Sequence, residues 1–98
     1  MRFKFASKRL QEMYTEEKYV HKYPAGVVEA FFDVMSVIDS AASERDLYAL
    51  KSLRFERLSG NRKGQSSLRL NKQYRLIVVV AEDDEGRYVE VKEIVDYH

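Results

Sequence analysis

Cysteine and tryptophan are absent from this chain of 98 residues, proline occurs once, histidine twice and glycine four times. Without cysteine there is no disulfide framework and no thiolate metal site. His21 and His98 alone are no basis for a zinc centre, and neither a metal nor another cofactor is expected. A single proline in a chain that is 45% hydrophobic and 12% aromatic argues against disorder. The longest apolar run, Leu76 to Ala81, has six residues, far below the ~20 that a membrane-spanning helix needs. The start Met-Arg-Phe-Lys-Phe offers no apolar signal region. Repeats, low-complexity stretches and linkers are also missing. These absences leave a soluble, cytoplasmic protein with no membrane partner, folded as one domain over 1–98.

What the chain does have is a charge distribution that its net charge of +1 conceals. Between Lys51 and Arg75 lie eight basic residues (51, 54, 57, 62, 63, 69, 72 and 75) and one acid, Glu56. Residues 1–50 carry seven basic and eight acidic side chains, and residues 76–98 carry two and seven. Such a basic block is where a polyanion binds. Inside it, Gly60 and Gly64 are turn glycines flanking Arg62 and Lys63; this loop matches no phosphate-cradling fingerprint.

A hairpin follows the loop. With a two-residue turn at Asn71-Lys72, Leu68 would oppose Arg75 and each face would mix apolar and charged residues. A three-residue turn, 71–73, pairs Leu70 with Tyr74, Arg69 with Arg75 and Leu68 with Leu76. The apolar set then shares one face and both arginines the other. Because the apolar pattern sets register, the three-residue turn is expected, with Asn71 as its left-handed residue. Two arginines directly opposite repel each other, which is relieved if an anion lies between them.

The rest of the chain supplies the body of the fold. Arg2 to Phe5 alternates and reads as a strand with Phe3 and Phe5 inward. Leu10, Met13 and Tyr14 recur at helical spacing within a helix from Ala6 to about Tyr19. Pro24 opens a second helix, whose inner stripe is Val27, Phe31, Val34, Met35, Ile38 and Ala42, with Glu29, Asp33 and Asp39 outside. Ser43 and Asp46 resemble a short capping box starting a helical turn with Leu47, Tyr48 and Leu50. Phe55 to Leu58 is a candidate strand. Leu76 to Val80 is apolar on both faces, as suits a central strand. Glu82 to Gly86 is a turn with solvated charges, and Arg87 to Tyr97 is the last strand, with a bulge expected near Glu93-Ile94-Val95. The result is an α+β fold: a short N-terminal strand and two helices packed on one face of a twisted antiparallel sheet. Tyr14, Tyr19 and Tyr23 are packing residues or stacking partners for bases, and His21 is a surface residue.

The chain closes Asp96-Tyr97-His98. On a strand, Asp96 and His98 share a face and Tyr97 takes the other. Asp and His can exchange protons near neutrality, with the carboxylate supporting the charged imidazole. Set beside Arg69 and Arg75, they would place an acid or base next to a phosphate clamp. Those are the requirements for cutting RNA through its own 2′-hydroxyl. A solvated chain end and a solvated arginine face are the alternative.

The run Leu58-Ser-Gly-Asn-Arg-Lys-Gly-Gln-Ser-Ser-Leu-Arg-Leu-Asn-Lys-Gln-Tyr-Arg75, followed by Val91-Lys-Glu-Ile-Val-Asp-Tyr-His98, resembles the HigB-type toxins of bacterial toxin–antitoxin pairs, a branch of the RelE/ParE-like superfamily. The resemblance implies a RelE-like fold and a metal-independent endoribonuclease that cuts mRNA, usually on the ribosome. It implies a cognate antitoxin (HigA-like) with a helix-turn-helix domain, and operator DNA reached only through the complex of the two. By position, Arg62, Lys63, Arg69 and Arg75 would contact phosphate, and Asp96, Tyr97 and His98 would form the catalytic end with Arg75. Arg57 and Lys72 join the RNA-binding set from the same basic block. Some members carry a catalytic histidine just before the Leu-x-Gly segment, where this chain has Glu56 and Arg57. Either Glu56 takes over proton transfer, or His98 and Asp96 act with less help. A toxin of the same fold acting on a protein target such as gyrase, and a non-catalytic RNA-binding module, are the other readings; the terminal Asp-Tyr-His favours the nuclease.

Overall fold

The computed structural model describes residues 1–96. Strand β1 (Arg2–Phe5) leads into helix α1 (Lys8–Glu16), then α2 (Ala25–Ser40) and a short α3 (Glu44–Ala49). Strands β2 (Glu56–Arg57), β3 (Ser66–Arg69), β4 (Tyr74–Asp83) and β5 (Gly86–Asp96) complete it. The five strands form one sheet in the order β1-β5-β4-β3-β2. Pairing from β2 to β5 is antiparallel, whereas β1 joins β5 in parallel. A parallel neighbour needs a long crossover, and the chain between β1 and β5 supplies it. Among the described residues no helix is long and apolar enough to cross a membrane.

Alternation along each strand decides which side of the sheet meets the helices. Leu68, Leu76 and Ile94 stand in one cross-strand row, and Val78 faces Val91 in the next. Phe3 and Phe5 extend the same face opposite Val89 and Val91. Leu10 and Met13 from α1, and Val27, Phe31, Val34, Met35 and Ile38 from α2, close over it. Tyr14 packs among the rings of Phe3, Phe5, Phe31 and Phe32.

Where the helices end differs from the sequence expectation. The Ser7 hydroxyl accepts from Leu10 N at 3.2 Å and starts α1. Glu17 and Tyr19 then adopt left-handed φ values of 56° and 64°, so α1 stops at Glu16 rather than near Tyr19. Pro24 stands just before α2, and its carbonyl accepts from Val27 N at 2.9 Å; its lack of an N–H is harmless there. α2 ends at Ser40, and Ala41 turns extended. The helical period stops with it, so Ala41 is buried and Ala42, expected in the core, is exposed. Of the short α3 turn, Leu47 is buried while Tyr48 and Leu50 are exposed. The box at Ser43 is half made: its side chain caps nothing, and Asp46 Oδ2 accepts from Ala42 N at 2.8 Å.

The bulge falls one residue before its expected place. Ile77 faces Glu93 and Val78 faces Val91, leaving Lys92 unmatched. That extra residue lets Val89, Val91 and Ile94 all face the helices despite their uneven spacing. The β4–β5 turn is tighter than expected, since only Asp84 and Glu85 separate the strands. Asp83 is not merely solvated: Arg2 Nη2 reaches it at 2.6 Å and Lys4 Nζ at 3.0 Å.

Candidate nucleic-acid interface

The hairpin register is the expected one, with Leu68 opposite Leu76, Arg69 opposite Arg75, and Leu70 N donating to Tyr74 O at 3.0 Å. The turn is built differently. Asn71 is not among the non-glycine residues with positive φ, which among the described residues are Glu17, Tyr19 and Arg54. Its side chain does the work of a left-handed backbone: Asn71 Oδ1 accepts from Gln73 N at 2.8 Å and Tyr74 N at 2.7 Å. Asparagine side chains mimic a backbone turn in this way.

Arg69 and Arg75 project from the face of the sheet turned away from the helices, and each is oriented by a carbonyl. Arg69 Nε donates to Asn71 O at 3.2 Å. Arg75 Nη2 donates to Arg54 O at 2.6 Å and lies 3.6 Å from Glu56 Oε1. The Arg54 carbonyl is available because Arg54 itself is left-handed, φ 45°, where the short 3-10 turn Lys51–Leu53 ends. Arg75 is consequently well covered, its side chain 13% exposed.

Arg54, Arg69, Asn71, Lys72 and Arg75 line a hollow of about 180 Å³. Four cations and no carboxylate form its wall, so its potential is positive and an anion is its natural occupant. Arg54 was not in the expected RNA-binding set, although it belongs to the same basic block. Its role depends on a left-handed backbone, and arginine carries no sequence signal for one.

The remaining expected residues do not gather here. Arg62 is held by other partners, with Nη1 donating to Gln65 Oε1 at 3.0 Å and Nη2 lying 3.5 Å from Glu93 Oε1. Arg57 and Lys63 line a separate hollow with Glu44 and Arg87. The cause is strand alternation: Glu56 pairs with Ser67 on the Arg69 side, and Arg57 pairs with Ser66 on the helix side. The basic block is therefore split between the two faces of the hairpin.

Asp96 also departs from expectation. It pairs with Tyr74, whereas Arg75 pairs with Val95, so by register Asp96 shares the face of Tyr74 and not that of the arginines. Its Oδ2 accepts from Gln73 Nε2 at 3.0 Å, which ties the end of β5 to the hairpin turn. Tyr97 and His98, the other expected catalytic residues, lie outside the described residues.

A small α+β body with a cation-lined hairpin hollow matches a known class. Residues 3–98 fit the family described as the RelE-like toxin of type II toxin-antitoxin system HigB. The chain belongs to that family of HigB-like toxins. Toxin HigB-1 of Vibrio cholerae serotype O1 is 40% identical to it over 77 residues, which is 79% of this chain and 81% of that toxin. Two solved structures show the same fold. The YoeB/ParE toxin from Agrobacterium tumefaciens aligns over 100% of both chains with a TM-score of 0.61 at 16% identity. The YoeB–YefM complex from Staphylococcus aureus aligns over 100% of this chain and 97% of that one, with a TM-score of 0.60 at 19% identity.

Proposed function

We propose that this toxin is an endoribonuclease that cuts mRNA in the cytoplasm, with the scissile phosphate held in the hollow between Arg69 and Arg75. The observation that carries this reading is the cross-strand arginine pair itself, completed by Arg54 and Lys72. Attack of the 2′-oxygen on the adjacent phosphorus displaces the 5′-oxygen of the next nucleotide. It leaves a 2′,3′-cyclic phosphate and a 5′-hydroxyl. Charge accumulates on the phosphoryl oxygens in the transition state, where preset cations are most effective. In this scheme Glu56, whose carboxylate lies beside Arg75, accepts the 2′-proton, and the resemblance to the family assigns protonation of the departing 5′-oxygen to His98 and a substrate contact to Tyr97. Asp96, bonded to Gln73 on the other face, is assigned the lesser part of holding the end of β5 to the turn. No metal is needed in this scheme.

The ribosome would present the mRNA, and a HigA-like antitoxin would bind the toxin. A heterotetrameric toxin–antitoxin complex is known for YoeB and YefM of S. aureus, which supports a partner of that kind here. No specific observation favours a protein target in place of RNA. The test is a double-mutant cycle. Arg69→Ala and Arg75→Ala should each weaken binding of single-stranded RNA. Together they should lose less than the sum of the two, because one phosphate is shared. Strictly additive losses, or unchanged affinity in either variant, would remove the hollow from RNA binding.

A further inference from the structure

The second hollow, about 460 Å³, is lined by Arg57, Lys63 and Arg87, by the apolar Leu58 and Val80, and by Glu44. Glu44 is already spoken for, since its carboxylate is paired with Arg87. Among the described residues Arg57 and Lys63 have no acidic partner, and both are exposed. The hollow therefore offers two uncompensated cations over an aliphatic floor.

Its position separates it from the RNA site. Arg57 stands opposite Ser66 and Val80 opposite Val89, both on the helix side of the sheet. The Arg69–Arg75 hollow is on the other side. A phosphate chain seated between the arginines would have to round the β2 edge to reach Arg57. A polynucleotide also gains little from the aliphatic floor. A peptide whose carboxylates flank an aliphatic side chain fits both components: its charges meet Arg57 and Lys63, and its side chain covers Leu58 and Val80.

We infer that this hollow seats an acidic, leucine- or isoleucine-bearing segment of the antitoxin, on the face opposite the RNA site. The inference rests on the reading of this chain as one half of a toxin–antitoxin pair. An antitoxin docked this way leaves the Arg69–Arg75 hollow open to small anions.

Two measurements test it. In the first, ¹⁵N-labelled protein is titrated with a blocked peptide of alternating glutamate and leucine, with its lysine-for-glutamate counterpart, and with a single-stranded RNA oligonucleotide. The acidic peptide should shift the amides of Arg57, Gln65, Ser66 and Arg87, the basic peptide should not, and the RNA should shift those of Arg69 and Arg75. In the Arg57→Glu, Lys63→Glu variant the acidic-peptide shifts should vanish while the rest of the spectrum still reports a folded protein. RNA shifting the Arg57 set, or the acidic peptide shifting nothing there, overturns the proposal. In the second, the product of the neighbouring reading frame is co-expressed. The double variant should bind it at least about tenfold more weakly, and undiminished affinity overturns the proposal. If the unaltered chain captures no such product, the pairing reading fails instead, and the peptide titration still decides what the hollow binds.

Discussion

Asp83 is held by two cations from the opposite end of the sequence. Hydrogen bonds from Arg2 and Lys4 keep its carboxyl well below the usual carboxylate range, and Glu85 N adds a further donor. Because the folded-state value is depressed, the stabilisation is fully present above the ordinary value of 3.8, declines as pH falls below it, and is gone below the folded value. Asp83→Asn should therefore lower the melting temperature at pH 7, with the gap to the unaltered protein closing between pH 4 and the acid limit. A gap independent of pH would mean that the loss is one of packing. At this scale the sequence was legible where alternation speaks: Arg69 and Arg75 had to face each other once Leu68 and Leu76 shared a side. It was not legible where backbone conformation speaks. Nothing in the residue type marks Arg54 as left-handed, or shows that its carbonyl orients Arg75.

Strand β5 shows the same division among elements. Val89, Val91 and Ile94 cannot all face the helices on a regular strand, so a bulge was legible, and it lies at Lys92. The bulge also makes β5 unequally sensitive to deletion. Removing Lys92 takes out the unmatched residue and keeps every pair from Arg75–Val95 to Ala81–Tyr88. Stability should change by no more than about 1 kcal/mol, while the bend it gives the strand is lost. Removing Glu90 instead forces Val91 outward and Lys92 inward, a loss of about 2–5 kcal/mol, typical of emptying or polarising a core position. Denaturant melts of the two deletion variants should differ by that margin; equal melts would mean that the register slides freely. The parallel entry of β1 was beyond reach, since four alternating residues do not name their partner. The split of the basic block was also hidden, because a count of charges along the chain ignores which face each one takes.

At the scale of the molecule, charge is segregated along β4. Its ten residues span about 30 Å, from the cationic turn at Asn71–Gln73 to the acidic turn at Asp84 and Glu85. Such a field draws a polyanion to the first end and repels it from the second. The fold and the toxin family were legible from the ordered string of motifs between Leu58 and His98. The division of labour at the proposed catalytic end was less so: Asp96 stands on the face of Tyr74. Deleting His98 alone should leave the melting temperature and RNA affinity nearly unchanged and lower the cleavage rate roughly 10²–10⁴-fold. Mapping of mRNA 5′ ends, with thermal melts as control, checks this. A deletion variant that cleaves at the original rate would transfer protonation of the departing 5′-oxygen to Arg75 or Tyr97.

The pairing of β1 with β5 also sets an order of events during synthesis. Phe3 and Phe5 find their neighbours Val89 and Val91 only near the far end of the chain. Until β5 leaves the exit tunnel of the ribosome, the first strand has no partner and the aromatic cluster around Tyr14 lacks one wall. A growing chain thus cannot complete its sheet until β5 has been made and has emerged. Arrested nascent chains that stop after Ala81 should be cut readily by a protease under conditions in which the released protein resists; equal resistance would show that the helices and hairpin assemble without β5.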